Sequence, residues 1–271
     1  MLLVCCEQCS RSESVALHDS HVKSTALEIR SVIWQTALMS QLKQARARAR
    51  AEVVTEIVES ARRQLAEVGP ADLSLRAVAR DLGVVSSAVY RYVASRDELL
   101  TLLIVDAYDS LGDHVEGVVT ASRAAAPLDR WVEACAAVRS WALEHRHEYS
   151  LLYGTPVPGY DAPGERTTTA GTRTSLALLS IVRDAAADDR LAEREGPAVG
   201  AELSTDLAAF RAVVDLDLAD HVLVRVLAGW TQLFGLVTFE LFSQTRGLTA
   251  HDEALLRSCA ELTGAEIGLT R

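Results

Sequence analysis

The sequence predicts an all-α protein, an N-terminal three-helix helix-turn-helix domain followed by a helical bundle, on three observations. Ala, Leu and Val dominate the 271 residues while aromatics make up only 5%, a composition that suits stacked helices. Apolar residues recur at steps of three and four over long stretches, with Gly or Pro at the breaks. Over residues 73–100 two short periodic segments flank Gly83. Two helices joined by such a turn can set the second in a DNA major groove.

In chain order, residues 1–45 read as a flexible N-terminal arm with a weak helix over about 22–42. Cys6-x-x-Cys9 and His18-x-x-His21 supply two thiolates and two imidazoles, which can complete a zinc tetrahedron. The eight-residue central gap and the closely spaced histidines depart from finger spacing, so no metal site is expected. A natural start at Met39 is the alternative to an arm; it would leave a short basic lead-in. Arg46, Arg48 and Arg50 alternate with alanine just before the first strong helix, read as 51–67. At helical spacing 46 and 50 share a face, so two guanidiniums can reach one phosphate strand; a solvated charge run is the plainer alternative. Val54, Ile57, Val58, Ala61 and Leu65 form the inward stripe, and Gly69-Pro70 ends the helix.

Leu75, Val78, Ala79 and Leu82 share one side of the next short helix. Gly83 takes the positive φ of a sharp turn, and Val84 is expected as a buried corner. A second helix over 86–93 turns Val89 and Val93 inward, with Ser86 as its cap. Ser95-Arg96-Asp97-Glu98 reads as a capping box, Ser95 capping and Glu98 reaching back.

With Gly83-Val84, Tyr90-Arg91-Tyr92-Val93 and Arg96 in this order, the stretch from about 46 to 103 resembles the N-terminal DNA-binding domain of TetR-family regulators. Tyr92 stands where the family often has His, and Val85 where it usually has a capping Ser. The resemblance implies DNA contacts from Arg76, Ser86, Ser87, Ala88, Tyr90, Arg91 and Tyr92. Arg76 is the candidate for bidentate guanine readout, and the Ala88 methyl for a thymine methyl. Tyr90, Tyr92 and Arg96 suit phosphates, and for Tyr90 core packing with a wet hydroxyl is the alternative.

A long helix over 96–119 links this DNA-binding domain, residues 46–100, to a ligand-binding and dimerisation domain, residues 101–271. As a rigid bridge it is the natural carrier of a ligand signal. Pro127 opens the next helix, with Trp131, Val132, Cys135, Val138, Trp141 and Ala142 inward. A short helix over 148–153, a loop over 154–164 rich in Pro and Gly, and helices over 165–191 and 201–214 follow. Trp141, His145 and Gly154 with the run YGTPVPGY resemble the WHG type of TetR-family C-terminal body.

Between 218 and 244, Leu223, Leu227, Trp230, Phe234, Val237 and Leu241 step by 4, 3, 4, 3 and 4, the period of helices packed at shallow angles. Val222, Val226, Leu233 and Leu236 widen the apolar arc beyond what one core needs. This helix and the last, over 250–267 behind a Thr249 cap, are expected to pair across a two-fold axis. The expected dimer residues are Leu223, Leu227, Trp230, Val237, Leu241 and Leu255; burial within one subunit is the alternative. Trp131, Cys135, Trp141, His145, Tyr153, Trp230 and Phe234 are candidates to line a ligand pocket between helices, with core packing the alternative for each.

A net charge of −10 argues against indiscriminate nucleic-acid binding, but the charge is uneven. Residues 39–100 hold ten Lys and Arg against eight Asp and Glu, residues 101–271 fourteen against twenty-five. A mildly basic head on an acidic body fits a DNA reader with a separate regulatory part. No nucleophile elbow, P-loop, dinucleotide fingerprint or H-E-x-x-H occurs, so no catalytic residue and no cofactor are expected. The most apolar run, 226–239, is fourteen residues, short of the ~18–20 that a membrane span needs. The first residues lack the basic flank of a secretory signal, and the five cysteines form no disulfide framework. The expectation is a cytoplasmic homodimeric transcriptional regulator, most simply a repressor, with a palindromic double-stranded DNA operator, a small-molecule effector and no membrane partner. A helical adaptor whose helix-turn-helix packs against protein, and an enzyme built on the body, are the alternatives.

Overall fold

The computed structural model describes residues 39–196 and 198–271. The arm expected over 1–45, with Cys6, Cys9, His18 and His21, lies outside the described residues as far as 38. Among the described residues regular structure is helical, apart from one isolated antiparallel bridge between Leu191 and Leu269. The helices are α1 (39–68), α2 (Leu75–Asp81), α3 (Ser86–Tyr90), α4 (Arg96–Ala121) and α5 (Pro127–Glu144). They continue with α6 (Arg146–Tyr153), α7 (Gly164–Ala187), α8 (Ala201–Val214), α9 (Asp220–Leu241) and α10 (Asp252–Ile267).

The chain divides into two compact units, one ending at Glu56 and one running from Ile57 to Arg271. In the first, residues 39–56 are the leading part of α1. Arg46, Arg48 and Arg50 are therefore inside a helix rather than ahead of one, because Ala and Arg are both strong helix formers. All three are exposed; 46 and 50 share a face and 48 takes the nearly opposite one.

In the second unit the head is built from the end of α1 with α2 and α3. Ile57, Val58, Ala61, Leu65, Leu75, Val78, Ala79, Val89 and Val93 are all buried, as the apolar spacing requires. Gly83, at φ +68°, closes α2 as its own N–H donates to the Arg80 carbonyl and that of Val84 to Ala79. Val84 is not the buried corner expected from sequence. That hydrogen bond ties in its backbone and leaves its side chain 45% exposed. α3 is only five residues long, and the chain to Val93 continues as a hydrogen-bonded turn. Ser86 opens α3 instead of capping it; the cap position is Val85, which has no side-chain acceptor to offer.

Ser95 caps α4 as expected, its hydroxyl accepting from the Glu98 N–H at 3.1 Å. Glu98 does not reach back to complete a box, since both its oxygens are held by Arg166 of α7 at 2.6 and 3.0 Å. α4 runs on through residue 100 into the body, where it packs along α7. Small residues permit that closeness: a Cβ on Gly112 would stand 3.0 Å from the Arg173 side chain, one on Gly171 3.4 Å from the Tyr108 ring. Arg173 then binds Asp109, Asp113 and Glu116, three carboxylates on one face of α4.

α5 is the central helix of the body, with Trp131, Cys135, Val138, Trp141 and Ala142 buried. The Trp131 indole is flanked by Gly229 of α9 and Gly264 of α10, where a Cβ would come within 3.2 and 3.0 Å of the ring. Thr249 does not hold the cap position of α10. Its hydroxyl accepts from the His251 N–H one step earlier, and His251 is the cap residue. By length and composition α9 is apolar enough to cross a membrane, and here its inner face is body core.

Candidate nucleic-acid interface and body cleft

On the head, Arg76 and Arg80 are one turn apart on the exposed side of α2. Ser87, Tyr90 and Arg91 are exposed on and just after α3, while Ser86, Ala88 and Tyr92 are half-buried. Tyr90, 46% exposed, is not the core residue that the alternative reading made it. The side chains of Arg76, Arg80 and Arg91 make no hydrogen bond or ion pair among the described residues. Arg80 was absent from the sequence-derived set, and its spacing of four from Arg76 was the available signal.

Two features hold this surface rigid. Asp81, at the end of α2, accepts from the Ser60 hydroxyl and the Arg63 guanidinium of α1, each at 2.6 Å. Those bonds keep its carboxyl below the ordinary carboxylate range. Arg96, expected at a phosphate, donates from Nη2 to the Pro70 and Ala71 carbonyls at 2.7 and 3.1 Å. Those bonds fasten the start of α4 to the turn after α1. Farther along, Arg62 of α1 pairs with Asp106 of α4 and, at 3.4 Å, with Glu148 of α6. The head thus touches both the bridging helix and the body.

The Trp141, His145 and Gly154 motif frames α6. Trp141 is buried and donates from its indole N–H to Ser110 at 3.0 Å. His145 sits at the elbow between α5 and α6, stacked on Trp141 with centroids 4.8 Å apart. Gly154 ends α6 where a Cβ would lie 2.3 Å from the Ser150 carbonyl oxygen, so no other residue fits. α6 is then pinned to α9 by the Tyr149 hydroxyl, which meets the Phe234 carbonyl at 3.1 Å and the Thr238 hydroxyl at 2.9 Å. Burial pushes the Tyr149 phenol up to about 12.

The seven expected pocket residues fall in different places among the described residues. Trp131 and Trp141 are core, and Tyr153, Phe234 and Trp230 form an aromatic chain with centroid spacings of 4.5 and 5.3 Å. Cys135 lines only a minute void of about 10 Å³ beside Cys259. A larger cleft, about 250 Å³, lies instead between α4, α6, the 154–163 loop and the start of α7, walled by Ile104, Tyr108, Leu152, Val157, Tyr160 and Thr167 among others. Tyr153 reaches it indirectly, its ring edge-on to Tyr108 at 6.2 Å.

The six expected dimer residues also divide. Leu223 and Val237 are 2% and 1% exposed, buried in their own subunit's core, and Trp230 and Leu241 are half-buried. Leu227 and Leu255 are exposed, and Phe239, Phe242 and Leu262, which sequence reasoning passed over, are exposed with them. Burial therefore varies among residues of one stripe on α9.

Comparison with known proteins adds to this geometry. The pattern of a family described as "Bacterial regulatory proteins, tetR family" matches residues 57–103, and that of "Tetracyclin repressor-like, C-terminal domain" matches residues 131–262. HTH-type transcriptional regulators of Mycobacterium tuberculosis (strain ATCC 25618 / H37Rv) and Mycobacterium bovis (strain ATCC BAA-935 / AF2122/97) are each 42% identical over 198 residues, 72% of this chain and 83% of theirs. Among solved structures, the regulatory protein SCO4313 superposes with a TM-score of 0.64 at 32% identity, over 80% of this chain and 97% of that one. The TetR-family regulator PfmR of Thermus thermophilus shares the fold, with a TM-score of 0.51 at 18% identity over 79% of this chain and 99% of that one.

Proposed function

The chain belongs to the TetR family of transcriptional regulators, and on that premise we propose that it is a dimeric repressor released from a palindromic operator by a small molecule. The observation that carries the reading is the face of α2 and α3, where Arg76, Arg80 and Arg91 are exposed and unpaired among the described residues. Exposed guanidiniums without an internal partner suit one rich in phosphates and guanine edges. Arg76 and Arg80 read bases or phosphates from α2. Ser87, Ala88, Tyr90 and Arg91 approach from α3, and Ser86 and Tyr92 border them. Arg46, Arg48 and Arg50 add contacts to phosphate from α1.

Dimerisation places two such heads on two half-sites, so operator symmetry mirrors protein symmetry. The exposed Leu227, Phe239, Phe242, Leu255 and Leu262 on α9 and α10 are the surface offered for that pairing. The effector enters the cleft beside α4 and shifts the population towards a head placement that no longer fits both half-sites. The protein acts in the cytoplasm as a regulator, without catalysis of its own.

Fluorescence anisotropy on duplex from the region flanking its own gene, across a salt series, tests the reading. Affinity falls steeply as salt rises, because released counterions supply much of it. Arg76→Ala weakens operator binding by roughly 10- to 100-fold, the ~1–3 kcal/mol of a bidentate base contact, and narrows the margin over unrelated duplex. Equal affinity for all duplexes before and after that substitution refutes base readout from α2.

A further inference from the structure

The cleft beside α4 has no charged side chain in its walls, and its polar groups are the hydroxyls of Tyr108, Tyr160 and Thr167. A carboxylate or ammonium placed there loses its hydration without gaining a counter-charge, which costs far more than the apolar walls return. Size narrows the choice further. A cavity of about 150 Å³ takes benzene, so about 250 Å³ suits a molecule of ~10 non-hydrogen atoms.

The hydrogen bonds assign the polar ends. Thr101, 2% exposed on α4, donates its hydroxyl hydrogen to the Asp97 carbonyl at 2.9 Å. It can therefore only accept from Tyr160, whose hydroxyl lies 2.9 Å away. Tyr160 donates to Thr101, and that hydrogen is the one a guest carrying an acceptor would draw away. Tyr108 has no hydrogen bond among the described residues, so its hydroxyl is available to a guest that carries an acceptor. Burial holds that phenol neutral by raising its pKa.

Resting on the regulator reading above, we propose that the effector is an uncharged phenol or alcohol of about this size, and that Tyr160 is the residue through which it reports. A hydroxyl is the smallest group that can accept from Tyr160 and also pair with the Tyr108 hydroxyl. When the guest draws the Tyr160 hydroxyl to itself, the loop lets go of Thr101. Thr101 lies five residues from Arg96, which holds the Pro70 and Ala71 carbonyls of the head. The loss of one hydrogen bond thus acts on the helix that carries the head.

Four probes of similar size, with the full-length protein, test this: para-propylphenol, propylbenzene, tyramine and para-hydroxyphenylacetate. Thermal shift reads binding, and anisotropy on operator duplex reads release. Para-propylphenol is expected to bind at least tenfold more tightly than each of the other three and to free the operator. Tyr108→Phe is expected to weaken it about tenfold. Tyr160→Phe, which lacks the bond from the start, is expected to hold operator weakly with no probe present and to gain no further release from the phenol. Equal binding of tyramine or para-hydroxyphenylacetate overturns the neutral-guest assignment, and equal binding of propylbenzene overturns the hydroxyl contacts. Parent-like operator affinity of Tyr160→Phe with no probe present overturns the reporting role. Should Tyr160→Phe fold poorly by circular dichroism, Thr101→Val, which removes the same bond from the other side, replaces it, with parent-like operator affinity as the overturning result. Failure of the regulator reading itself shows separately, as absence of operator binding by the parent with no probe present, while the thermal-shift arm still judges the guest.

Discussion

Arg76, Arg80 and Arg91 in the head are exposed and without a partner among the described residues, whereas Arg130, Arg139, Arg166, Arg173 and Arg257 in the body are each held by a carboxylate. Both regions use the same residue type, and only the pairing tells their purposes apart. Where Arg is paired it joins helices: α5 to α7 through Arg130 and Asp184, α5 to α9 through Arg139 and Glu240. The unpaired arginines of the head are open to a partner outside the chain. The head shows the same division on a smaller scale, since Arg63 and Arg96 are occupied within it and Arg62 by carboxylates of α4 and α6.

The sharpest way to break this distinction is to remove one arginine of each kind. Arg139 and Glu240 share two hydrogen bonds of 2.7 Å, and their side chains are 16% and 14% exposed. Arg139→Ala leaves a nearly buried carboxylate without its counter-charge, so chemical denaturation should show a loss of ~3 kcal/mol. Arg76→Ala, on the open surface, should stay within about 0.5 kcal/mol of the parent while operator binding falls. If both variants lose equal stability, pairing does not separate the two roles.

A second contrast lies within α9 and α10, between the side that faces the core and the side left open. At Gly264 a Cβ would stand 2.6 Å from Leu128 and 3.0 Å from Trp131, whereas at Gly235 it would meet nothing within 4 Å. Gly264→Ala should cost ~1–3 kcal/mol by overpacking. Gly235→Ala should gain up to about 1 kcal/mol in the isolated subunit, because alanine is the better helix former. Sedimentation of Gly235→Ala then sharpens the test. A dimer weakened by that single methyl, with subunit stability intact, marks the open side as the subunit interface.

These contrasts also mark what the sequence made legible. The helices of the body were plain because burial imposes a period: Trp131, Cys135, Val138 and Trp141 had to share a side of α5, and they do. Periodicity does not say who covers a side. Leu223 and Leu227 fall in one stripe by spacing, yet the first is 2% and the second 48% exposed, because α9 serves two neighbours at once. The cleft was missed for the opposite reason. Its loop, 154–163, has no period, and Tyr160 meets Thr101 across 59 residues of sequence. Arg96 likewise finds its carbonyls 25 and 26 residues back, a contact that family resemblance assigned to phosphate. Arg76 was legible because exposure was all it needed.

Ser95 gives a smaller and more local test. Its hydroxyl caps the start of α4, accepting from the Glu98 N–H. Ser95→Ala should cost about 1 kcal/mol by thermal denaturation. Because α4 joins head and body, the loss should appear in both. A loss confined to one of them breaks the picture of α4 as a single rigid bridge.

The smallest effect expected is one of pH, and it returns to the two regions. Asp81 in the head is held below its ordinary value of 3.8, first by the Ser60 hydroxyl and then by Arg63. Asp220 in the body is lowered likewise, first by Arg211 and then by Ser204. In both the folded pKa lies below the unfolded one, so the unfolded chain binds protons first on acidification. Each contact therefore contributes fully above about pH 4 and is lost as pH falls through the folded value. Stability should be flat in these groups from pH 7 to 5 and should decline only below that. Hydrogen exchange can separate the two sites: Asp81→Asn should speed exchange in α2 at neutral pH and remove its acid dependence there, leaving α9 as it was. Asp220→Asn should do the reverse. If either substitution loosens both helices equally, the head and the body unfold as one cooperative unit, and the division of labour between their charged residues has no counterpart in their stability.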